Sequence, residues 1–136
     1  MNFASDNWAG AAKEIAASLQ EHSDGFSPAY GASDLDQALE RRFNDLFEKE
    51  VAVYFVGTGT AANSLALSSM NRPGGFVLCH REAHLIEDEC GAPEFFTSGA
   101  RMAPIDGEMG RMDPKILLDG LKRFDPSFVH HGQPMA

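Results

Sequence analysis

The chain has 136 residues, and its 11 Lys and Arg against 20 Asp and Glu give a formal net charge of −9. With 43% hydrophobic and 23% charged residues the composition is that of a globular protein, and a single domain of this length buries roughly 68% of its unfolded surface without staples. Residues 1–50 carry ten acids against four bases, so no basic half exists to neutralise phosphodiesters, and neither a nucleic-acid nor an anionic-membrane partner is expected. The longest apolar run, Val51 to Val56, is far short of the roughly 20 residues of a membrane span. The first residues lack a basic and apolar export pattern, so a cytoplasmic location is expected. Cys79 and Cys90 suit free, mostly buried thiols rather than a disulfide framework.

In chain order, Ile15 and Leu19 predict a weakly amphipathic helix over Gly10 to Gln20. Ser23 to Gly31, dense in turn formers, reads as a loop and carries Phe26 and Tyr30. Ser33 and Asp34, followed by Asp36 or Gln37 as capping-box partner, open a helix with Leu35, Leu39, Phe43, Leu46 and Phe47 at helical spacing, running to about Lys49. Val51 to Val56 predicts a strand buried on both faces, the Gly57 to Asn63 string a turn, and Ser64 to Met70 a helix. Further strands are expected at Phe76–Cys79, Ala100–Ile105 and Phe128–His130, with helices at His84–Cys90 and Lys115–Phe124, the last opened by Asp113-Pro114. Strands alternating with helices imply an α/β layered fold on a mainly parallel sheet.

Two strings carry chemistry. Gly57-Thr58-Gly59-Thr60-Ala61-Ala62, between an expected strand and a helix, offers free N–H groups, two hydroxyls and the positive end of a helix dipole, which suits a phosphate. The string also fits GxGxxA, with Glu82 placed as a ribose-binding acid, which leaves a nicotinamide-dinucleotide module as an alternative. A Walker A loop is excluded because no Gly-Lys-Ser/Thr follows. The second string, Cys79-His80-Arg81-Glu82-Ala83-His84 to Glu89, lies past the carboxyl end of a strand, the edge where open α/β sheets bind ligands. A metal is not expected there, because the HExxH order is absent and the two histidines span a strand-to-helix junction. A satisfied or surface histidine and a ligand-facing imidazole both remain open at this point. His130 and His131 read as structural.

Taken in order, Phe3-Ala4-Ser5-Asp6-Asn7, Pro28-Ala29-Tyr30-Gly31, Val56-Gly57-Thr58-Gly59-Thr60-Ala61-Ala62-Asn63, His80-Arg81-Glu82-Ala83-His84 and Glu89-Cys90-Gly91-Ala92 resemble the low-specificity threonine aldolases of the aromatic amino acid β-eliminating lyase/threonine aldolase superfamily. The resemblance implies a PLP-dependent aminotransferase-like (fold type I) large domain, here incomplete, with residues 1–50 as an N-terminal helical segment and subunit-contact loop and 51–136 as the first part of the cofactor-binding domain. It implies cleavage of L-threonine or L-allo-threonine to glycine and acetaldehyde with pyridoxal 5'-phosphate, in a homo-oligomer built as a dimer-based tetramer. Thr58, Gly59 and Thr60 would hold the cofactor phosphate, His84 would stack on its ring and relay a proton, and Glu89 would lie near it. Ser5 and Tyr30 would serve the substrate side, Tyr30 from a neighbouring subunit.

The resemblance departs at Ala11-Ala12-Lys13, where the family often has His-Pro. Members also run on well beyond this length, and the Schiff-base lysine, the aspartate at the pyridine nitrogen and the small domain belong to that further part. Lys13, Lys49, Lys115 and Lys122, this chain's only lysines, stand in surface-like contexts, so the 136 residues are expected to be an N-terminal fragment inactive alone. A non-catalytic remnant that docks on full-length subunits or binds a phosphorylated ligand is the remaining alternative.

Overall fold

The computed structural model describes residues 8–136. The chain divides into two compact units, Met1–Tyr54 and Phe55–Ala136.

The described part of the first unit consists of α1 (Lys13–Glu21) and α2 (Asp34–Phe47) joined by a loop. Ala12 precedes α1 and supplies no side-chain cap, as its apolar side chain dictates. At α2 the expected capping box forms with Asp36, not Gln37, as partner. Ser33 Oγ accepts the Asp36 N–H at 3.1 Å while Asp36 Oδ2 accepts from Ser33 N at 3.1 Å and from its hydroxyl at 2.6 Å. The helix stops at Glu48, which adopts a left-handed conformation (φ 52°), and Asn44 Oδ1 then takes the Val51 N–H at 2.7 Å. Neither helix has a fully buried residue.

The second unit contains α3 (Gly59–Ser69), β1 (Gly75–His80), α4 (His84–Glu87), α5 (Ala92–Phe96), β2 (Arg101–Ile105), α6 (Pro114–Lys122) and β3 (Gln133–Pro134). The three strands form one sheet in the order β2-β1-β3, and both pairings are parallel, with Phe76 opposite Arg101 and Pro134. β1 is central, so Phe76, Val77, Cys79 and His80 are all buried, the pattern of a strand covered on both faces. Pro104, which cannot donate to a ladder, sits on β2 at the sheet's edge. Leu67 of α3, Val77, Ala100 and Met135 form the core, with Leu85 and Met102 against it. On α6, Gly120 lies so close to β2 that a Cβ would meet Ile105 Cδ1 at 2.6 Å, and Phe124 just beyond the helix packs against Phe76 with ring centroids 4.0 Å apart and the rings tilted by 31°.

Four expectations are corrected. Val51–Val56 is extended but is no strand. A strand exists only through a ladder, and the described residues give this run no partner; Tyr54 and Phe55 are exposed. Phe128–His130 is turn rather than strand, because Asp125 accepts the Ser127 N–H on its side chain at 2.8 Å and the Phe128 N–H on its carbonyl at 3.1 Å, winding the backbone before β3. The helix after His84 ends at Glu87, and a second one starts at Ala92, with Gly91 at φ 75° before it and Pro93 in its first turn. Proline here opens a helix instead of closing one. Finally, α3 begins five residues earlier than the sequence suggested, so the glycine turn is largely helix. Of the two cysteines, Cys79 is buried and Cys90 is exposed, both free; Cys90 lies in the turn between α4 and α5 with φ 52°.

Candidate active site

The site grows from the start of α3. Thr58 is its N-cap, in extended conformation, with Oγ1 accepting the Ala61 N–H at 3.1 Å and its carbonyl accepting the Ala62 N–H at 3.1 Å. The first N–H groups of a helix have no intrahelical acceptor, so with those two satisfied the Gly59 and Thr60 amides are left free for an external acceptor. A Cβ built on Gly59 meets nothing within 4 Å, and the approach to these amides is open. The hydroxyl protons of Thr58 and Thr60 add two donors.

One turn further along α3, Asn63 Nδ2 donates to Glu89 Oε1 at 2.6 Å. The same oxygen lies 2.9 Å from His84 Nδ1. Glu89 is 3% exposed, and its other oxygen, Oε2, is buried without a hydrogen-bond partner. The His84 side chain, by contrast, is 62% exposed. Thus the two expected site strings, 26 residues apart in sequence at Asn63 and Glu89, are joined through a buried carboxylate.

His80 resolves differently. Its Nδ1 accepts the Glu82 N–H at 3.1 Å and its Nε2 faces the Gly107 carbonyl at 3.0 Å, so both ring nitrogens of this buried residue are spent on backbone groups. It is a satisfied structural histidine. Arg81 and Asp106 close the same edge with a two-pronged ion pair at 2.6 and 3.3 Å, which holds the Asp106 carboxyl below its ordinary range and the Arg81 guanidinium above its own. No cluster of three potential metal ligands occurs among the described residues.

Of the expected site residues, Thr58, Gly59, Thr60, His84 and Glu89 all belong to the second unit. Tyr30 belongs to the first, where it is fully exposed at φ 62°. Ser5 lies outside the described residues. Asn63 was not singled out from sequence; its place four residues after Gly59, one turn down the helix from the anion-binding end, is the signal that marks it. A cleft of about 330 Å³ lies between the sheet and α6, lined by Arg81, Arg101, Arg123, Phe76 and Phe124 among others, and Thr58, Gly59, Thr60, His84 and Glu89 are not among its lining residues.

The second unit is α/β, built on a small parallel sheet with flanking helices, the architecture of the large domain of the fold-type-I class. The chain belongs to the beta-eliminating lyase family, whose pattern it matches over residues 2–135. It is 39% identical over 133 residues to the low specificity L-threonine aldolases of Pseudomonas sp. (strain NCIMB 10558) and of Pseudomonas aeruginosa, covering 97% of this chain and 38% of each relative. Its structure superposes on the threonine aldolase of Leishmania major with a TM-score of 0.83 at 21% identity, covering 93% of this chain and 36% of the other. The chain therefore spans little more than a third of the length of these relatives.

Proposed function

We propose that this chain is the cofactor-phosphate-binding part of a carbon–carbon lyase of the threonine aldolase type, acting with pyridoxal 5'-phosphate on L-threonine or L-allo-threonine to release glycine and acetaldehyde. The observation that carries this reading is the linkage of two sites in one unit: the Thr58-capped start of α3 and the exposed His84 imidazole are connected through Asn63 and Glu89. The residues present fit the cofactor's phosphate. The Gly59 and Thr60 amides, the two threonine hydroxyls and the helix dipole form a donor set for a dianion, each hydrogen bond to it contributing about 1.5–3 kcal/mol.

When bound, the cofactor supplies an electron sink for the charge left as Cα–Cβ breaks. The protein's own share is positional. Thr58, Gly59 and Thr60 hold the phosphate, and His84, open on one side, flanks the ring and takes the proton of the substrate hydroxyl. Ser5 and Tyr30 serve the substrate, Tyr30 across a subunit boundary in a homo-oligomer located in the cytoplasm. Among the described residues no helix is long and apolar enough to cross a membrane. All four lysines are exposed, and covalent capture of the cofactor falls to a lysine in the further length that the relatives possess.

The dinucleotide alternative loses support with its leading strand, since GxGxxA reads pyrophosphate only at the end of a strand and Val51–Val56 is none. Two measurements test the proposal. Titration of the chain with pyridoxal phosphate and with NAD should show preference for the former; preference for NAD overturns it. A chimaera in which this chain replaces the matching residues of the Pseudomonas relative should release acetaldehyde from L-threonine. A chimaera that binds the cofactor yet releases none removes the aldolase assignment.

A further inference from the structure

Glu89 is difficult to explain as a packing residue. Its side chain is fully buried, one carboxylate oxygen serves two partners, and the other serves none. A desolvated carboxylate with an unsatisfied oxygen costs stability, and a neutral residue of the same shape would avoid that cost.

What the arrangement does define is the protonation of one imidazole. A carboxylate accepts hydrogen bonds and donates none. The Asn63 amide must therefore turn its NH₂ toward Glu89, and His84 must present an N–H at Nδ1. In neutral imidazole only one nitrogen carries the proton, so Nε2 of His84 is left with a bare lone pair, and it has no hydrogen-bond partner among the described residues. His80, four residues away, is held in the opposite state. There a backbone N–H donates to Nδ1 and a carbonyl faces Nε2, so the proton must sit on Nε2. The two histidines of one segment are assigned opposite tautomers by the chemistry of their partners.

We propose that Glu89 is a positioning residue that fixes His84 as the Nδ1–H tautomer with Nε2 as its acceptor, and that Asn63 anchors the carboxylate to the helix whose first turn holds the anion. A second group that orients a functional histidine through its far nitrogen governs which atom can take a proton. Here that group is tied through Asn63, one helical turn along, to the Thr58-Gly59-Thr60 start of α3. The use of the Nε2 lone pair on a substrate hydroxyl rests on the lyase reading; the tautomer itself does not.

The test is ¹⁵N NMR of the chain labelled at histidine, recorded at a pH where the imidazoles are neutral, with His84 and His80 assigned by single substitutions. The expected spectrum shows His84 protonated on Nδ1 and His80 protonated on Nε2. In Glu89→Gln, whose amide can donate as well as accept, the Nδ1–H signature of His84 is lost or becomes a mixture while that of His80 stays. A merely structural Glu89 would disturb both histidines or neither, and either result overturns the proposal. Should Glu89→Gln not fold, the unsubstituted chain decides alone: His84 protonated on Nε2, or evenly mixed, overturns the assignment, and Nδ1–H upholds it. Failure of the lyase reading would appear separately, as absent pyridoxal phosphate binding with the His84 signature intact.

Discussion

Thr58 Oγ1 takes the Ala61 N–H at 3.1 Å, so the residue beside the free Gly59 and Thr60 amides, the proposed phosphate donors, is also the cap of the helix behind it. The hydroxyl accepts with its lone pair and keeps its proton to donate outward. One side chain thus serves both the start of α3 and any phosphate seated there.

Thr58→Ala should then lose on both counts. Removing the cap costs about 1 kcal/mol of stability, readable in urea melts. The loss of one charge-assisted hydrogen bond weakens pyridoxal phosphate binding by about tenfold or more. Thr58→Ser, which keeps the hydroxyl, retains both properties. If Thr58→Ala lowers stability but leaves the cofactor affinity unchanged, the hydroxyl is a cap and nothing else.

His80 and His84 look alike in sequence and should behave oppositely on substitution. His80→Ala leaves the part-buried Gly107 carbonyl and the Glu82 N–H without the partners they have at 3.0 and 3.1 Å, and losing two hydrogen bonds of a buried side chain costs about 1–3 kcal/mol. His84 is mostly exposed but its Nδ1 lies 2.9 Å from the buried Glu89 carboxylate, so His84→Asn, whose amide NH₂ can take the place of the Nδ1–H, should change stability by no more than about 0.5 kcal/mol while abolishing acetaldehyde release in the chimaera. Equal destabilisation by the two substitutions would contradict the structural assignment of His80.

That contrast marks where sequence reading stops. The elements β1, β2, α2 and α6 were legible because their hydrophobic periods, Ser33 with Asp36, and Asp113-Pro114 are local signals. The free amides at the start of α3 were legible too, since Thr58 before a run of small residues reads as a helix cap. Val51–Val56 misled because β-branched and aromatic residues report suitability for a sheet, whereas a strand needs a partner that local composition does not name. Equally invisible was the Asn63–Glu89–His84 connection. It depends on α3 packing beside α5 and on the turn at Cys90 and Gly91, whose φ values of 52° and 75° fold Glu89 inward. Nothing in the spacing of an Asn and a Glu 26 residues apart announces it.

The two cysteines should separate by reactivity. Cys79 is 6% exposed on β1, and burial, with the Glu94 carboxylate adding to it, pushes its thiol up from the ordinary value. The thiolate is the reacting species, so Cys79 is protected twice. Brief treatment with iodoacetamide followed by mass spectrometry should find Cys90 alkylated and Cys79 slower by roughly an order of magnitude or more, with both reacting in denaturant. Early labelling of Cys79 would show that β1 is not the covered central strand.

Acid should act on α2 through its cap. The Ser33 hydroxyl, then the Ser33 backbone N–H, donate to Asp36 and hold its carboxyl below the usual carboxylate value. Because the folded value is depressed, the contribution is fully present above the unfolded pKa of about 3.9 and is lost as pH falls through the lower folded value. Helicity of α2 should therefore be flat from neutral pH down to about 4.5 and decline below about 4. In an NMR titration the Asp36 carboxyl carbon should show a midpoint below that of aspartate in an unstructured peptide. Ser33→Ala removes the first donor and the acceptor of the Asp36 N–H together, so the midpoint should move back up and α2 should start to fray already at neutral pH. A midpoint unmoved in Ser33→Ala would mean that the hydroxyl is not what holds Asp36 ionised, and the capping box would reduce to its backbone half.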